Sequence, residues 1–313
     1  MKRFLALLML TAGSTKAPAQ TPVKPGETFV FCYFKGNGED GLHLASSRDG
    51  YTWTALKRDS TFLRPTVNKD KLMRDPCIIR GADGRFHMVW TVSWQDQGIG
   101  YASSADLVHW STQQFLPVMA QESGTRNCWA PEITYDAGTK TYLIYWASTI
   151  TGKFPATQSA EEKGYNHRIY SVSTIDFKTY TPTKLLYEPG FNVIDASIQP
   201  DGKRYVMFLK NETREPVQKN LRVAFADKLG GPFGPASVPI TGNYWAEGPT
   251  AVKLGAEWLV YFDKYREHKY GAVKSSDLAH WTDVSDQIKL PPGLRHGTIF
   301  RVSAKELKLL EQQ

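Results

Sequence analysis

The chain has 313 residues and a formal net charge of +7, from 38 Lys and Arg against 31 Asp and Glu. This length is sufficient for one large domain with a substantial hydrophobic core. The positive charge is mild and forms no basic stripe interleaved with aromatic residues, so the composition argues against nucleic acid as a partner.

The first 19 residues are predicted to be a secretory signal peptide. Lys2 and Arg3 form its charged start, residues 4–10 its apolar core, and Ala17-Pro18-Ala19 a small-residue cleavage site. The apolar run is too short to span a bilayer, so no membrane partner is expected. Residues 20–313 would then be the exported chain, periplasmic or secreted, and no break in composition divides them into two domains.

Short apolar runs rich in β-branched and aromatic residues recur along the mature chain, each bounded by turn residues. They lie at residues 28–31, 86–90, 141–146, 205–209 and 258–262, and each run predicts a strand. Only residues 304–310, near the C-terminus, have a helical pattern. The predicted fold class is therefore all-β.

A second pattern marks the end of each unit, in which an Asp precedes an aromatic residue by four positions. It predicts a tight turn capped by the Asp, with the ring packed beneath it. The clear copies contain Asp49, Asp106, Asp176 and Asp277, and a degenerate copy has Asp227 followed by Phe233. Five such units, about 50 to 60 residues apart and made only of strands, predict a five-bladed β-propeller.

Every unit also has one ionisable residue in a short motif at the same place in the repeat. These residues are Asp75, Glu132, Asp195, Glu247 and His296. The first strand of each propeller blade faces the central axis. The repeat therefore predicts that five side chains from distant parts of the sequence line one axial pocket.

Two carboxyl groups that face each other across a polar pocket are the minimum for glycoside hydrolysis. One must be ionised to activate water, and the other must be protonated to release the leaving group. A third carboxylate beside the acid can raise its pKa by charge repulsion. Asp75, Asp195 and Glu247 fit these roles, and an inverting enzyme would hold its two catalytic carboxyl groups about 6.5–9.5 Å apart.

The motifs around these residues resemble those of glycoside hydrolase family 43. They are Arg74-Asp75-Pro76, Trp129-Ala130-Pro131-Glu132, Ile194-Asp195-Ala196-Ser197, Glu247-Gly248-Pro249 and Arg295-His296-Gly297, in the family's order across residues 25–303. Two departures are Glu132 and Ala196, where many relatives have Asp and Pro, and neither removes a catalytic carboxylate.

The resemblance implies a five-bladed, inverting enzyme in which Asp75 is the general base, Asp195 the pKa modulator and Glu247 the general acid. It also implies that His296 holds a central water or, through water, a calcium ion. Family members cleave mostly α-L-arabinofuranosides, arabinans or β-xylosides, and some cleave galactans or galactofuranosides. No other cofactor is implied.

Residues close to these motifs are candidates for sugar binding. Glu132 could contact substrate or form a structural ion pair at the pocket floor, and Arg74 and Arg295 could orient sugar hydroxyls. Aromatic platforms are expected among Trp94, Trp129, Trp146, Phe191 and Trp245, with Trp129 and Trp245 favoured because they directly precede pocket motifs. The polar segment 151–167 is predicted to form a rim loop that controls access.

The function predicted from the sequence is an exported exo-acting hydrolase that releases terminal furanose sugars, most simply α-L-arabinofuranose, from plant cell-wall or related glycans. Galactofuranosidase and β-xylosidase activities are alternatives on the same scaffold, and a sugar-binding propeller without catalysis is an alternative of another class. A monomer is favoured. The three cysteines are interpreted as buried thiols, with a disulfide between Cys77 and Cys128 left open.

Overall fold

Five antiparallel sheets surround one axis in a computed structural model that describes residues 26–313. In chain order the strands are β1 Glu27–Phe34, β2 His43–Ser47, β3 Thr54–Ala55, β4 Arg74–Arg80, β5 Phe86–Thr91, β6 Ile99–Ser104, β7 Gln114–Leu116, β8 Trp129–Asp136, β9 Thr141–Ser148, β10 Arg168–Thr174, β11 Lys184–Tyr187, β12 Val193–Asp201, β13 Arg204–Asn211, β14 Asn220–Ala226, β15 Glu247–Leu254, β16 Glu257–Lys264, β17 Lys269–Ser275, β18 Thr282–Asp283 and β19 Arg295–Ser303. The predicted signal peptide lies outside the described residues.

The sheets are the five blades of a β-propeller, as predicted. Blade 1 is β4–β7, blade 2 is β8–β11, blade 3 is β12–β14, blade 4 is β15–β18, and blade 5 pairs β19 with β1, β2 and β3. The innermost strands β4, β8, β12, β15 and β19 pack against one another in a closed ring. Because blade 5 joins the last strand to the first, pairing between the two ends of the chain closes the ring.

All five apolar runs identified in the sequence lie in the second strand of a blade, in β1, β5, β9, β13 and β16. These strands have a neighbour in the sheet on each side and blades packed against both faces, so nearly every residue is buried. The core consists of apolar clusters between neighbouring blades rather than one central cluster. Such double-sided burial explains why the runs are continuous instead of alternating.

The outer turns also form as predicted. The carboxylate of Asp106 accepts hydrogen bonds from the backbone N–H groups of Val108 and His109 at 2.9 and 2.8 Å. The indole N–H of Trp110 donates to the Leu107 carbonyl at 3.1 Å. The same carboxylate cap recurs at Asp49, Asp176 and Asp277.

Blade 3 differs from the other blades because it has three strands. Where a fourth strand would pair with β14, an irregular segment takes its place, and the N–H groups of Gly234, Ser237 and Ile240 donate to β14 carbonyls at 2.8–2.9 Å. This is the unit whose turn motif is degenerate in the sequence. A cavity of about 830 Å³ lies between blades 2 and 3 at the end of β8 and β12 remote from the carboxylates.

The predicted C-terminal helix is α1, Ala304–Glu311. Ser303 and Glu306 form a capping box at its start, and Arg80 of blade 1 is ion-paired with Glu306 at 2.7 Å. Within residues 26–313, no helix is long and apolar enough to cross a membrane. Cys32, Cys77 and Cys128 are all buried free thiols, so the disulfide left open above does not form.

Candidate active site

The innermost strand of every blade contains a β-bulge close to its first residue. In each bulge three residues of the innermost strand span two residues of the second strand, which bends the backbone and re-aims its side chains. In each blade one residue directly follows the regular strand pair on the N-terminal side of the bulge. These residues are Asp75, Ala130, Asp195, Gly248 and His296. The first four have φ values of 51°, 47°, 53° and 60°, in the left-handed region.

The register corrects one detail of the sequence analysis, since the five ionisable residues do not all occupy the same position. Asp75, Asp195 and His296 occupy equivalent positions. In blade 4 that position is Gly248, and Glu247 lies one residue before it; in blade 2 it is Ala130, and Glu132 lies two residues after it. Glu247 is therefore nearer the mouth of the pocket, with 22% of its side chain exposed, and Glu132 is deeper, at 5% exposure. The five residues nevertheless meet at one end of the axis.

Asp75 is held as a carboxylate by the groups around it. The Thr91 hydroxyl donates to its Oδ2 at 2.8 Å, and Nδ1 of His296 lies 3.4 Å from its Oδ1. Burial opposes ionisation of Asp75, but His296, Arg74 and Thr91 together outweigh it and lower the pKa to about 2. Burial likewise opposes the charge on His296, yet Asp75 and Asp195 raise the imidazole pKa to about 9. The pair is therefore an aspartate beside an imidazolium at neutral pH.

Asp195 is buried at the equivalent position of blade 3. Its Oδ2 accepts a hydrogen bond from the backbone N–H of Gly248 at 2.9 Å. Burial raises the pKa of Asp195 to about 6, and the charges of Glu247 and Asp75 act in the same direction, while His296 opposes them. Gly248 is needed for this contact, because a Cβ there would come within 2.4 Å of the His296 ring and φ is +60°.

Glu247 is flanked by two cations. Nζ of Lys210 lies 3.0 Å from its Oε2, and Nη2 of Arg295 lies 3.3 Å from its Oε1. Arg295 also pairs through Nε with Asp263 at 2.6 Å, and Lys210 pairs with Glu212 at 2.6 Å. Glu247 thus has both oxygens engaged by positive groups at the edge of the pocket.

Glu132 lies deeper in the pocket than Glu247. The Tyr145 hydroxyl donates to its Oε2 at 3.1 Å, and its Oε1 has no partner among the described residues. Burial raises the pKa of Glu132 to about 7, although the positive charge of His296 acts against the shift. Glu132 makes no ion pair with the described residues, so the structural ion pair considered in the sequence analysis is not formed.

The aromatic candidates divide into rim and core residues. Trp94 is 47% exposed, and its ring is perpendicular to that of half-buried Trp129, with the centroids 5.7 Å apart. Trp245 packs on Tyr265 with the ring centroids 5.8 Å apart. The expectation for Trp146 is wrong, because this ring is 1% exposed and belongs to the core between blades. Phe191 packs on the core of blade 3.

The rim loop lies over this end of the propeller. It contains short 3₁₀ turns at Pro155–Thr157 and Ala160–Glu162, and the ring of Tyr165 packs on Trp129 with the centroids 4.9 Å apart. Glu162 forms an ion pair with Lys219 of blade 3 at 3.3 Å. The loop therefore links two blades beside the pocket, as expected of a segment that limits access.

Sequence reasoning missed Lys210 and Asp263, which lie next to Glu247 and Arg295. Both are in second strands, at positions equivalent to Thr91, directly after the apolar run. That position pairs with the residue just before the bulge and so reaches the pocket. A polar residue directly after the apolar run, as in blades 1, 3 and 4, is the signal that could have identified them.

The side chains at the axis do not fit a directly bound calcium ion. Calcium prefers six to eight oxygen ligands, and among the described residues no group of three or more His, Cys, Asp or Glu side chains could hold a metal ion. His296, with its pKa near 9, has no free ring lone pair at neutral pH. A calcium ion held through water stays a prediction.

Comparison with known families agrees with this geometry. A family profile described as "Probable glycosyl hydrolase domain", related to glycoside hydrolase family 43, matches residues 24–308. The chain belongs to this family. It is therefore a glycoside hydrolase, and its substrate is a carbohydrate. No curated protein matches the sequence.

Solved structures share the fold at low sequence identity. An α-L-arabinofuranosidase from Lactobacillus brevis is 19% identical, with a TM-score of 0.51 over 67% of this chain and 72% of that one. A family 43 protein of Bacillus licheniformis is 19% identical, with a TM-score of 0.52 over 71% of this chain and 42% of that one. A family 43 β-1,3-galactosidase solved with galactodeoxynojirimycin is 12% identical, with a TM-score of 0.52 over 71% and 80%.

Proposed function

We propose that the protein is an exported, inverting glycoside hydrolase that releases terminal furanose sugars, first of all α-L-arabinofuranose, from plant cell-wall or related glycans. Asp75 is the general base, Glu247 the general acid and Asp195 the residue that tunes the acid. The observation that carries the proposal is the ionised Asp75 beside the His296 imidazolium, in the same pocket as Asp195 and Glu247.

In this mechanism Asp75 accepts a proton from a water that attacks the anomeric carbon, while Glu247 protonates the leaving oxygen from the other face of the sugar. Lys210 and Arg295 stabilise the Glu247 carboxylate that remains after the proton has left. Asp195 accepts a hydrogen bond from the backbone N–H of Gly248, the residue after Glu247, and so lies beside the acid. Proton NMR of the first-formed product tests inversion directly.

Glu132 is the second candidate for the acid. Its raised pKa of about 7 would keep it protonated at mildly acidic pH, but it lies deeper than Glu247 and its side chain is enclosed. An acid must reach the oxygen between two sugars, and Glu247 at the mouth is better placed for that contact. Substrates with good and poor leaving groups distinguish the two, as described in the Discussion.

Three observations support a small terminal sugar. The pocket is axial, its rim carries the perpendicular Trp94 and Trp129 rings, and the loop containing Tyr165 lies against one side. The Lactobacillus brevis enzyme of similar fold is an arabinofuranosidase by its description. Nitrophenyl α-L-arabinofuranoside, β-galactofuranoside and β-xyloside, compared with the purified mature chain, test the choice. Turnover of none, with retained sugar binding, would favour a non-catalytic propeller.

Export is proposed from the predicted signal peptide at residues 1–19. Expression of the full-length sequence, followed by cell fractionation and N-terminal sequencing, should yield a chain that begins near Gln20. Retention of an intact N-terminus in the cytoplasm would contradict this part of the proposal. Calcium held through water and the monomeric state remain proposals, which chelation and light scattering test.

A further inference from the structure

Arg74 is a buried cation at the mouth of the active site. It is 9% exposed, and among residues 26–313 it forms no ion pair. Its only hydrogen bonds run from Nη1 to the side chain and carbonyl of Asn37, at 3.0 and 3.4 Å. Arg295, at the equivalent position of blade 5, instead pairs with both Asp263 and Glu247. Burial lowers the pKa of Arg74, while the charges of Asp75, Glu247 and Glu39 act in the opposite direction.

The guanidinium is held in a fixed orientation. Its central carbon lies 4.7 Å from the ring centroid of Phe34 and 4.2 Å from that of Trp94, so both aromatic rings contact the same cation. Oδ1 of Asn37 accepts from Arg74 and from the Trp94 indole N–H at 2.9 Å, which ties the two side chains together. Nε and Nη2 remain without partners among the described residues. Two parallel N–H groups of this kind match a carboxylate or a sulfate.

Each of the other three cations of the pocket forms an ion pair with an acid. Asp75 faces His296, and Glu247 and Asp263 face Arg295. Lys210 lies between Glu212 and Glu247. Among these four cations only Arg74 forms no ion pair with a described residue, and an anionic group of the substrate would provide one.

Two exposed arginines lie at the other side of the mouth. Arg214 and Arg266 lie 5.8 and 5.1 Å from the ring centroid of Trp245, and both are exposed. Neither forms an ion pair with a described residue. Exposed cations around a pocket raise the local concentration of an anionic ligand and are screened by salt.

We propose that the leaving-group side of the cleft binds an anionic sugar, whose carboxylate or sulfate ester is held by Nε and Nη2 of Arg74. Trp94 is exposed at the mouth, so a sugar in contact with both residues lies outside the position of the terminal furanose. The inference rests on the proposed function, because it takes the cleaved bond to lie at Glu247. It names the substrate class as acidic glycans carrying terminal furanose units.

The test is direct binding of ligands that lack the furanose and are therefore not cleaved. Trigalacturonate, its carboxyl-reduced neutral form and a sulfated galactan trisaccharide are titrated calorimetrically into the wild-type protein and four variants. The wild type should bind an anionic ligand about 10- to 100-fold more tightly than the neutral one, the range expected for a charge-assisted hydrogen bond. This preference should weaken as salt is raised. The preferred anion distinguishes carboxylate from sulfate.

Arg74→Met should abolish the preference for anionic ligands. Arg74→Lys should retain part of it, because the positive charge remains while the two parallel N–H groups of the guanidinium are lost. Arg80→Met is the matched control, since Arg80 also stacks on an aromatic ring, Phe86, but lies outside the pocket. Glu39→Gln removes an exposed acid next to Asn37 and should not weaken binding. Melting temperatures identify any variant that fails to fold, in which case Arg74→Lys decides.

Equal affinity of the wild type for acidic and neutral ligands, or no binding of either acidic ligand, would overturn the proposal. So would an unchanged preference in Arg74→Met. If Arg74 acts only by lowering the Asp75 pKa, its replacement shifts the acidic limb of the pH–rate profile without changing ligand preference. If the proposed furanosidase function fails, no nitrophenyl furanoside is cleaved, but the preference for acidic ligands remains measurable.

Discussion

The capped outer turn recurs in four blades of this propeller and the axial bulge in all five, but the two features repeat different things. At the outer edge the same residue recurs, as Asp49, Asp106, Asp176 and Asp277 each cap two backbone N–H groups. At the axis only the backbone bulge recurs, and the side chains that it presents range from Asp to Ala, Gly and His.

The difference follows from what each position must satisfy. In four blades the outer turn leaves backbone N–H groups that an Asp carboxylate satisfies in the same way, so the same residue recurs. The axial positions face one another instead of solvent, and five identical carboxylates there would repel strongly. The bulge therefore provides a common backbone scaffold, while the residue at the equivalent position differs in charge: Asp75 and Asp195 are acids, and His296 is a base. Axial substitutions should change activity more than stability, and outer substitutions the reverse.

The largest expected effect is at Asp75. Asp75→Asn removes the group that accepts the proton from water, and we expect turnover to fall at least ~10³-fold, toward the upper part of the range for acid–base catalysis. The protein should still fold, because Asn can accept the hydrogen bond from Thr91, but its melting temperature should fall because the ion pair with His296 is lost. Steady-state kinetics and a melting curve of the same preparation provide both readings.

Asp136→Asn is the matched control, because Asp136 ends the same kind of innermost strand at the opposite end of the propeller. It should leave turnover unchanged. Ordinary activity in a folded Asp75→Asn protein would assign the base elsewhere in the pocket.

Glu247→Gln should give a loss that depends on the leaving group. An oligosaccharide needs protonation of its departing oxygen, so the rate of its hydrolysis should fall about 10³-fold. The leaving group of a nitrophenyl glycoside departs as a phenolate without protonation, so the rate for that substrate should fall only roughly tenfold. Paired kcat/KM measurements on the two substrates give the ratio. Equal losses, together with an unchanged pH profile, would mean that Glu247 only orients the sugar, and Glu132 would become the acid.

The sequence identifies the propeller and the site for physical reasons that differ in strength. Continuous apolar runs predict the second strands because burial on both faces requires them, and the Asp turns predict the blade ends. The register around the bulge was not predictable, since the positive φ of Asp75 and Asp195 involves no glycine. For the same reason the sequence did not identify Lys210 as a pocket residue or Trp146 as a core residue. Only the strand pairing determines which residue faces the axis and which faces the next blade.

Glu132 tests whether an axial residue makes the free energy of unfolding depend on pH. Burial raises its pKa from 4.5 in the unfolded chain to about 7. The folded state then holds a proton that the unfolded state loses, so the free energy of unfolding falls as pH rises from 4.5 to 7, by on the order of 3 kcal/mol. Glu132→Gln should remove this decline and raise the melting temperature at pH 8 but not at pH 4. A parallel pH dependence in both proteins would show that Glu132 ionises normally.

The smallest effect is expected at the outer edge. Asp106→Ala removes an acceptor for the N–H groups of Val108 and His109 and should lower the free energy of unfolding by about 1 kcal/mol, similar to the loss of a helix cap. Asp106→Asn keeps an acceptor oxygen and should recover part of the loss. Asp227→Ala is the control, because Asp227 stands in the degenerate turn and its carboxylate forms no hydrogen bond with the described residues. Urea unfolding provides the free energies, and kcat should be unchanged in all three variants. A loss of turnover in Asp106→Ala at a temperature where it is folded would mean that the outer turns also position the axial carboxylates, and the division of labour between edge and axis would not hold.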